Sequence, residues 1–342
     1  MNIRHDVPLA PMTTFELGGA ARRFACISNV EELREALDFA RREDLDTFVL
    51  GGGSNVLVAD EGFFGLVLTV SDDSQVLVED GERPLVRVGA GKTWDDFAAW
   101  SVAADLAGVE CLAGIPGQVG ASPIQNIGAY GQEAGDAIEA VHVVERGSGR
   151  EQTLTSADCA FGYRDSFFKR EGRDRYVVTK VDFRLHRGGR PSLRYGELTR
   201  EMEDKPLTLA SVRDAVLAIR KRKSMLAAPD DPNRRNAGSF FTNPILPAET
   251  AAVLKERFGQ MPTYEAGEGR AKLSAAWLIE NAGFPKGYGK GPAGLSSAHT
   301  LCLVNRGEAR TSDILALAKE IQQGVQTTFG VELTPEATLL GF

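Results

Sequence analysis

No stretch of this 342-residue chain is apolar enough, for long enough, to span a bilayer, so a membrane-embedded protein is not expected. Positive charge is in deficit. There are 39 Lys and Arg against 47 Asp and Glu, a formal net charge of −8, which disfavours a nucleic-acid partner. The balance still admits an anionic small molecule, which a few local cations can serve. Cysteine and histidine are scarce, at four each. Cys26, Cys111, Cys159 and Cys302 lie in no metal-ligand spacing, and His5, His142, His186 and His299 are just as dispersed, so no metal site is expected. Isolated thiols of this kind fit a reducing, cytoplasmic setting. The start, Met1 to Asp6, has no apolar h-region, so no secretory signal is expected. Internal repeats and low-complexity linkers are missing too. What remains is ordinary globular composition, 43% hydrophobic and 25% charged, with length for two or three domains.

Against that background one stretch stands out. Between Gly114 and Gly131 five glycines and two prolines alternate with small and apolar residues. Glycine permits positive φ and lets a ligand or another backbone approach. Proline fixes φ and removes a donor. The stretch is read as a ligand cradle offering backbone N–H groups to an anion. A buried crossover loop is the plainer alternative. A second glycine run, Gly51-Gly52-Gly53-Ser54-Asn55, follows the apolar Phe48-Val49-Leu50 and precedes Val56-Leu57-Val58. A Rossmann fingerprint needs a helix after its glycines, and β-branched residues follow here. The expectation is a phosphate nest joining two strands, with a tight hairpin as the alternative.

In chain order, residues 1–24 read as an extended arm turning at Gly18-Gly19. Val30 to Arg42 reads as a helix with Asn29 as N-cap and Leu33, Ala36, Leu37 and Ala40 inward. Strands are expected over 65–70, 75–78, 85–88, 140–145 and 176–185. Thr93 is expected to cap a helix that buries Trp94, Phe97 and Trp100. A helix after Leu207-Thr208 ends in Arg220-Lys221-Arg222-Lys223, where cations suit the dipole or could meet a phosphate. Lys272 to Asn281 reads as a helix, and Thr311-Ser312 as the cap of a last one ending near Phe329. Arg164, beside Asp165, is either in a structural ion pair or a held site arginine. Ser239 reads alone as a turn serine. Glu336 sits in an apparently apolar terminal strand, where a buried carboxylate needs a partner, faces solvent, or titrates high as a site residue.

Five motifs in this order resemble the UDP-N-acetylenolpyruvoylglucosamine reductase family over nearly the whole chain. They are Gly51-Gly52-Gly53-Ser54-Asn55, Gly114-Ile115-Pro116-Gly117 through Gln125-Asn126-Ile127-Gly128-Ala129-Tyr130-Gly131, Tyr163-Arg164-Asp165-Ser166, Gly238-Ser239-Phe240-Phe241 and Pro335-Glu336. The resemblance implies an α+β fold with a vanillyl-alcohol-oxidase/PCMH-type FAD-binding domain in two subdomains and a C-terminal α+β substrate-binding domain. It implies subdomains at 1–72 (with the C-terminal strand 333–342) and 73–205, and a UDP-sugar domain at 206–332. Non-covalent FAD would be held by Gly51, Gly52, Gly53, Ser54, Asn55, Gly114, Ile115, Pro116, Gly117, Gly120, Ala121, Ser122, Asn126, Gly128, Ala129 and Tyr130.

NADPH would reduce the flavin, which then passes hydride to C3 of UDP-N-acetylglucosamine enolpyruvate in peptidoglycan precursor synthesis. Arg164 and Glu336 would stabilise the developing charge, and Ser239 would protonate C2. Tyr195 resembles a tyrosine that closes over substrate in the family's version with the longer middle domain. Asn243, Tyr264 and Lys286 fall where the family meets the UDP moiety, and Lys223 is a further candidate, while the segment 224–232 matches no family pattern. A cytoplasmic monomer without nucleic-acid or membrane partners is the default expectation. Two alternatives stay open: an oxidase of the same fold, which would need a His or Cys beside the flavin, and a nucleotide-sugar binding protein without catalysis.

Overall fold

The computed structural model describes residues 1–226, 228–267 and 269–342. The chain divides into two compact units: Met1–Val7, Ala21–Gly52 and Phe64–Leu226 in the first, and Pro8–Ala20, Gly53–Phe63 and Ala227–Phe342 in the second.

Two larger sheets dominate the first unit. In the smaller the order is Ile3–Pro8, Ala20–Ile27, Phe63–Val70, Thr47–Val49. Against it lies the helix Val30–Arg42, which buries Leu33, Ala36, Leu37 and Ala40. Apolar residues recurring at three and four produce that inward stripe. The helix starts as expected: the Asn29 side chain accepts from Glu32 N at 2.9 Å, satisfying an otherwise orphaned donor. The larger sheet runs Glu151–Thr155, Ile138–Glu145, Tyr176–Arg184, Leu85–Gly89, Gln75–Glu79, all antiparallel. Its β-branched positions Val86, Val88, Val141, Val143 and Val181 are buried. The helix Trp94–Ala103 sends Trp94 and Phe97 into this core, where Trp94 meets Phe183 edge-on at 5.9 Å. Trp100, expected inside, is exposed. A polar row crosses one sheet face. Arg87 holds Asp182 with two bonds of 2.7 and 2.8 Å, His142 Nε2 lies 3.0 Å from the same carboxylate, and Thr153 Oγ1 lies 3.1 Å from His142 Nδ1. These bonds outweigh the burial that opposes ionisation and hold Asp182 down to about 2. A third cluster packs the helix Leu209–Arg222 through Val212, Ala215, Val216 and Ile219 against Cys111, Ala113 and Tyr130.

In the second unit a three-stranded antiparallel sheet, Ile245–Pro247, Arg270–Leu273, Thr263–Glu265, a hairpin of Ala293–Leu295 and Leu303–Asn305, and three helices share one core. The helix Thr311–Phe329 supplies Ile314, Leu317, Ile321 and Val325 to it. Asp60 meets the first turn of that helix. Its carboxylate accepts from Thr311 N at 2.8 Å and Ser312 N at 3.2 Å, and those bonds overcome desolvation to keep its pKa below the usual range.

The N-terminal arm is extended as expected, with the strands Ile3–Pro8 and Ala20–Ile27, and Leu9, Phe15 and Leu17 are buried, Phe15 and Leu17 in the second unit's core. Three other expectations need correction. Thr311 does not cap its helix; it is the first helical residue, and its hydroxyl donates to Val58 O at 2.6 Å. Lys272 and Leu273 end a strand, and the helix starts only at Ala275, capped by Ser274. The sequence pattern misled there because Leu273 continues the helical spacing of Trp277. Glu336 lies outside the terminal strand, which is only Thr338–Leu340.

Candidate active site

The strand–glycine–strand reading holds, and the hairpin alternative does not. Thr47–Val49 pairs in parallel with 66–68, in the first unit, and Val56–Val58 pairs in parallel with Thr338–Leu340, in the second. Neither strand pairs with the other, so the glycines link two separate sheets instead of closing a turn.

In the first unit, Gly52 is exposed and meets the second glycine stretch backbone to backbone: a Cβ there would stand 2.7 Å from Gly117 Cα. Among the described residues, the N–H groups of Gly51 and Gly52 donate to no protein acceptor. Side-chain-free backbone with open donors fits a phosphate-bearing cofactor. The facing loop is braced from behind. Trp94 N donates to Gly117 O (3.0 Å), Val119 N to Lys92 O (2.8 Å) and Gly120 N to Ala90 O (2.9 Å). Gly114 N donates to Asp95 Oδ1 at 2.7 Å, and Ser122 spends its buried hydroxyl on Val119 O at 2.7 Å. Ile115 and Gly128 are half-buried, as is Ala129, while Pro116 and Ala121 are exposed.

Tyr130 closes the stretch. Its ring meets Tyr195 edge-on at 5.6 Å, and burial pushes its hydroxyl up to about 12 against the pull of a hydrogen bond from Arg220. Arg220 is itself buried and donates to Gly114 O at 3.1 Å and Met225 O at 2.9 Å. One guanidinium therefore clamps both ends of the glycine stretch. The basic cluster hid this role. The signal was spacing, since Arg220 falls four residues after buried Val216 and eight after Val212. Of its neighbours, Arg222 pairs with Glu201 and Lys223 with Glu197. In the segment 224–232, Ala227 lies outside the described residues.

Arg164 sits on a four-residue turn in which Gly162 and Asp165 exchange backbone bonds of 3.0 and 3.2 Å. Its backbone is left-handed, φ 53°, which is strained for a long side chain. Asp165 pairs with Arg170 at 3.1 Å, whereas Arg164 Nη2 donates to Gly128 O at 2.7 Å. Asp165 therefore belongs to an ion pair with Arg170, and the Arg164 side chain is tied to the glycine stretch. Asn126, expected among the cofactor contacts, is buried with its amide engaged: Nδ2 donates to Glu133 Oε2 (2.7 Å) and Gly162 O (3.0 Å), and Oδ1 accepts from Gly135 N (2.7 Å).

The second unit gathers the remaining motifs. Gly53, φ 62°, is buried against the Met12 carbonyl, where any side chain would collide. Beyond it, and beyond Ser54, Asn55 Nδ2 donates to Glu336 O at 3.2 Å, and Thr338 N donates to Asn55 O at 2.9 Å. Glu336 N donates to Phe240 O at 2.7 Å, Thr242 N to Thr334 O at 3.0 Å, and Phe241 bridges Pro335. Ser239 therefore enters a short antiparallel pairing whose other strand carries Glu336, with Asn55 tied to the same spot. Three motifs far apart in sequence converge. Asn243 accepts from Ala275 N at 2.9 Å, and Leu273 N donates to Pro244 O at 2.9 Å, which sets Asn243 beside the small sheet. On that sheet exposed Tyr264 is in register with Lys272. Lys286 lies elsewhere, on an exposed loop after the helix Ala275–Asn281. Lys272 is thus a strand cation at a position where the sequence pattern expects a helix.

Cys111, just before the glycine stretch, is fully buried. It donates to Ser192 O at 3.2 Å, and burial, followed by the Glu110 charge, pushes its thiol up to about 12. Such a thiol is a poor nucleophile toward a flavin.

Residues 21–155 match the model of an FAD binding domain, and residues 230–340 match the C-terminal domain of UDP-N-acetylenolpyruvoylglucosamine reductase. Curated relatives carrying that reductase name include one from Thermobifida fusca, 49% identical over 98% of this chain and 97% of its own length. Another from a Mycobacterium species is 45% identical over 99% and 96%. The crystal structure of the reductase from Thermus caldophilus superposes with a TM-score of 0.71 at 27% identity, covering 99% of both chains.

Proposed function

Because the chain belongs to the UDP-N-acetylenolpyruvoylglucosamine reductase family, oxidoreductases with an FAD-binding domain, we propose that it reduces UDP-N-acetylglucosamine enolpyruvate to UDP-N-acetylmuramate with NADPH as reductant. The net change adds hydride to C3 and a proton to C2 of the enolpyruvyl double bond, and converts NADPH to NADP⁺. FAD, when bound, supplies the hydride relay that no side chain can provide. Gly51 to Asn55 and the stretch Gly114 to Tyr130 would hold it through backbone groups, without a covalent link, because Cys111 is buried and protonated.

The side chains then have separate work. Adding hydride at C3 drives negative charge toward the substrate carboxylate. A fixed guanidinium lowers that barrier without reorganising, which is the role read for Arg164. Ser239 would deliver the proton to C2. A hydroxyl is a weak acid, so the step needs a strongly basic carbon and a positioned partner, and Glu336 is the partner whose segment pairs with that of Ser239. Asn243, Tyr264 and Lys286 would take the UDP moiety, with Lys272 added by its register with Tyr264, and Tyr195 would cover the substrate. The division into 1–72 with 333–342, 73–205 and 206–332, the cytoplasmic setting and the monomeric state belong to the same proposal.

The observation that carries the reading is the bond from Glu336 N to Phe240 O, with Asn55 bound to Glu336 O, since it draws the proton donor, its partner and the phosphate loop together. The test is a spectrum of the purified holoenzyme: flavin absorbance bleached by NADPH and restored by UDP-N-acetylglucosamine enolpyruvate under anaerobic conditions. A flavin that is reoxidised rapidly by O₂ and left reduced by the enolpyruvyl compound would support the oxidase alternative instead.

A further inference from the structure

We propose that Asn126 is a positioning residue for Arg164, built into the glycine-rich stretch to fix the arginine turn and not to touch the cofactor. The proposal rests on the reading of Arg164 as the residue that stabilises substrate charge.

Three bonds lace one segment to the other. Ser166 Oγ donates to Ile124 O at 2.5 Å, Asn126 Nδ2 to Gly162 O at 3.0 Å, and Arg164 Nη2 to Gly128 O at 2.7 Å. Every second residue of the stretch, 124, 126 and 128, therefore reaches the turn 162–166. The middle bond is the only one of the three to grip the turn's own closing residue, Gly162, whose N–H and C=O pair with Asp165.

The orientation of the Asn126 amide is fixed by its surroundings. Glu133 Oε2, at 2.7 Å, can only accept when ionised, so Nδ2 faces it, and Gly135 N–H can only donate, so Oδ1 faces that. With 1% of its surface exposed, Asn126 would have to abandon all three partners to reach a ligand. Its backbone, φ 47°, is left-handed, a conformation asparagine tolerates better than most residues. Arg164 has no such tolerance. A long side chain at φ 53° persists only where neighbours over-determine it. The lacing supplies that constraint and aims the guanidinium.

Two variants test this, Asn126→Ala and Asn126→Asp. The aspartate keeps the shape and the acceptor for Gly135 N–H, but sets an acceptor against Glu133 and Gly162 O. Both half-reactions of the FAD-loaded enzyme are followed, with flavin content and melting temperature beside them. Misaiming the guanidinium should slow flavin reoxidation by UDP-N-acetylglucosamine enolpyruvate about 10- to 100-fold. Reduction by NADPH and flavin content should stay near those of the parent, while the melting temperature falls for both variants, most for Asn126→Asp, which buries a second carboxyl against Glu133. In an Arg164→Ala background the Asn126 penalty should vanish, because its target is gone. The proposal is overturned if reduction and reoxidation fall together, if the penalty persists undiminished without Arg164, or if neither variant retains flavin. A different result, Arg164→Ala reoxidising at the parental rate, would sink the role of Arg164 itself.

Discussion

Arg164 and Ser239 both sit on short irregular segments, yet they are held by different means. The arginine turn is fixed from outside by side chains, through Asn126, through Ser166 and through the arginine's own guanidinium. The serine segment is fixed by main-chain pairing: Phe240 N to Leu301 O at 2.8 Å, Glu336 N to Phe240 O at 2.7 Å, and Thr242 N to Thr334 O at 3.0 Å. Backbone pairing survives most substitutions, whereas side-chain lacing fails with one. The difference teaches that the two halves of the proposed chemistry should respond differently to mutation. Around Ser239 only the reacting groups themselves, its hydroxyl and the Glu336 carboxyl, should matter strongly. Around Arg164 the supporting residues should matter as well.

The largest effect sharpens that contrast. Ser239→Ala should cut turnover about 10²- to 10⁴-fold, the usual range for losing a general acid, with the melting curve unchanged because no main-chain bond is touched. Steady-state kinetics and calorimetry read both. A drop in stability comparable to a core mutation would break the comparison.

Arg164→Ala comes next, at about 10²- to 10³-fold on flavin reoxidation. Arg164→Gly should lose as much activity, yet melt higher than Arg164→Ala, since glycine relieves a left-handed backbone that costs other residues about 1–2 kcal/mol.

Acid should separate the units themselves. Asp182 in the first unit's large sheet is held down to about 2, below its unfolded value near 3.9. A depressed carboxylate contributes its stability above the unfolded value and loses it as pH falls through the folded one. About 2 kcal/mol should therefore disappear between roughly pH 4 and pH 2. Trp94 and Trp100 report on the first unit and Trp277 on the second. With Trp277→Phe in place the fluorescence change should survive and begin in that window, and Asp182→Asn should remove the pH dependence there.

The smallest effect concerns the tie at Asn55. Asn55→Ala removes the neutral hydrogen bond to Glu336 O, a bond worth about 1 kcal/mol in chemical denaturation. A far larger loss would mean that the serine side depends on side-chain lacing too.

Local features were legible in the sequence because their causes are local. The helix Val30–Arg42 with its Asn29 cap, the strand–glycine–strand order, and four strands of the larger sheet follow from spacing and β-branching, whereas Glu151–Thr155, the edge strand of that sheet, was not expected. Long-range placement was not legible. Phe15 and Leu17 alternate with Thr14 and Glu16, which marks a buried face but does not say which core receives it, and they fill the second unit's core. Glu336 looked like a strand residue because apolar Val331, Leu333, Ala337, Leu339 and Leu340 flank it, while the pairing changes partner at Glu336, from the Phe241 bridge to the strand Val56–Val58. Asn126 was expected among the cofactor contacts through the family resemblance, and the inward bonds of its amide to Glu133, Gly162 and Gly135 depend on long-range folding that no local pattern announces.

The pairing of Thr338–Leu340 with Val56–Val58 also sets an order of folding. The bond from Asn55 to Glu336 O spans 281 residues, so closing it costs more chain entropy than the local pairs of the second unit. It should form after them, and until it does Val56–Val58 presents an open strand edge to any other extended chain.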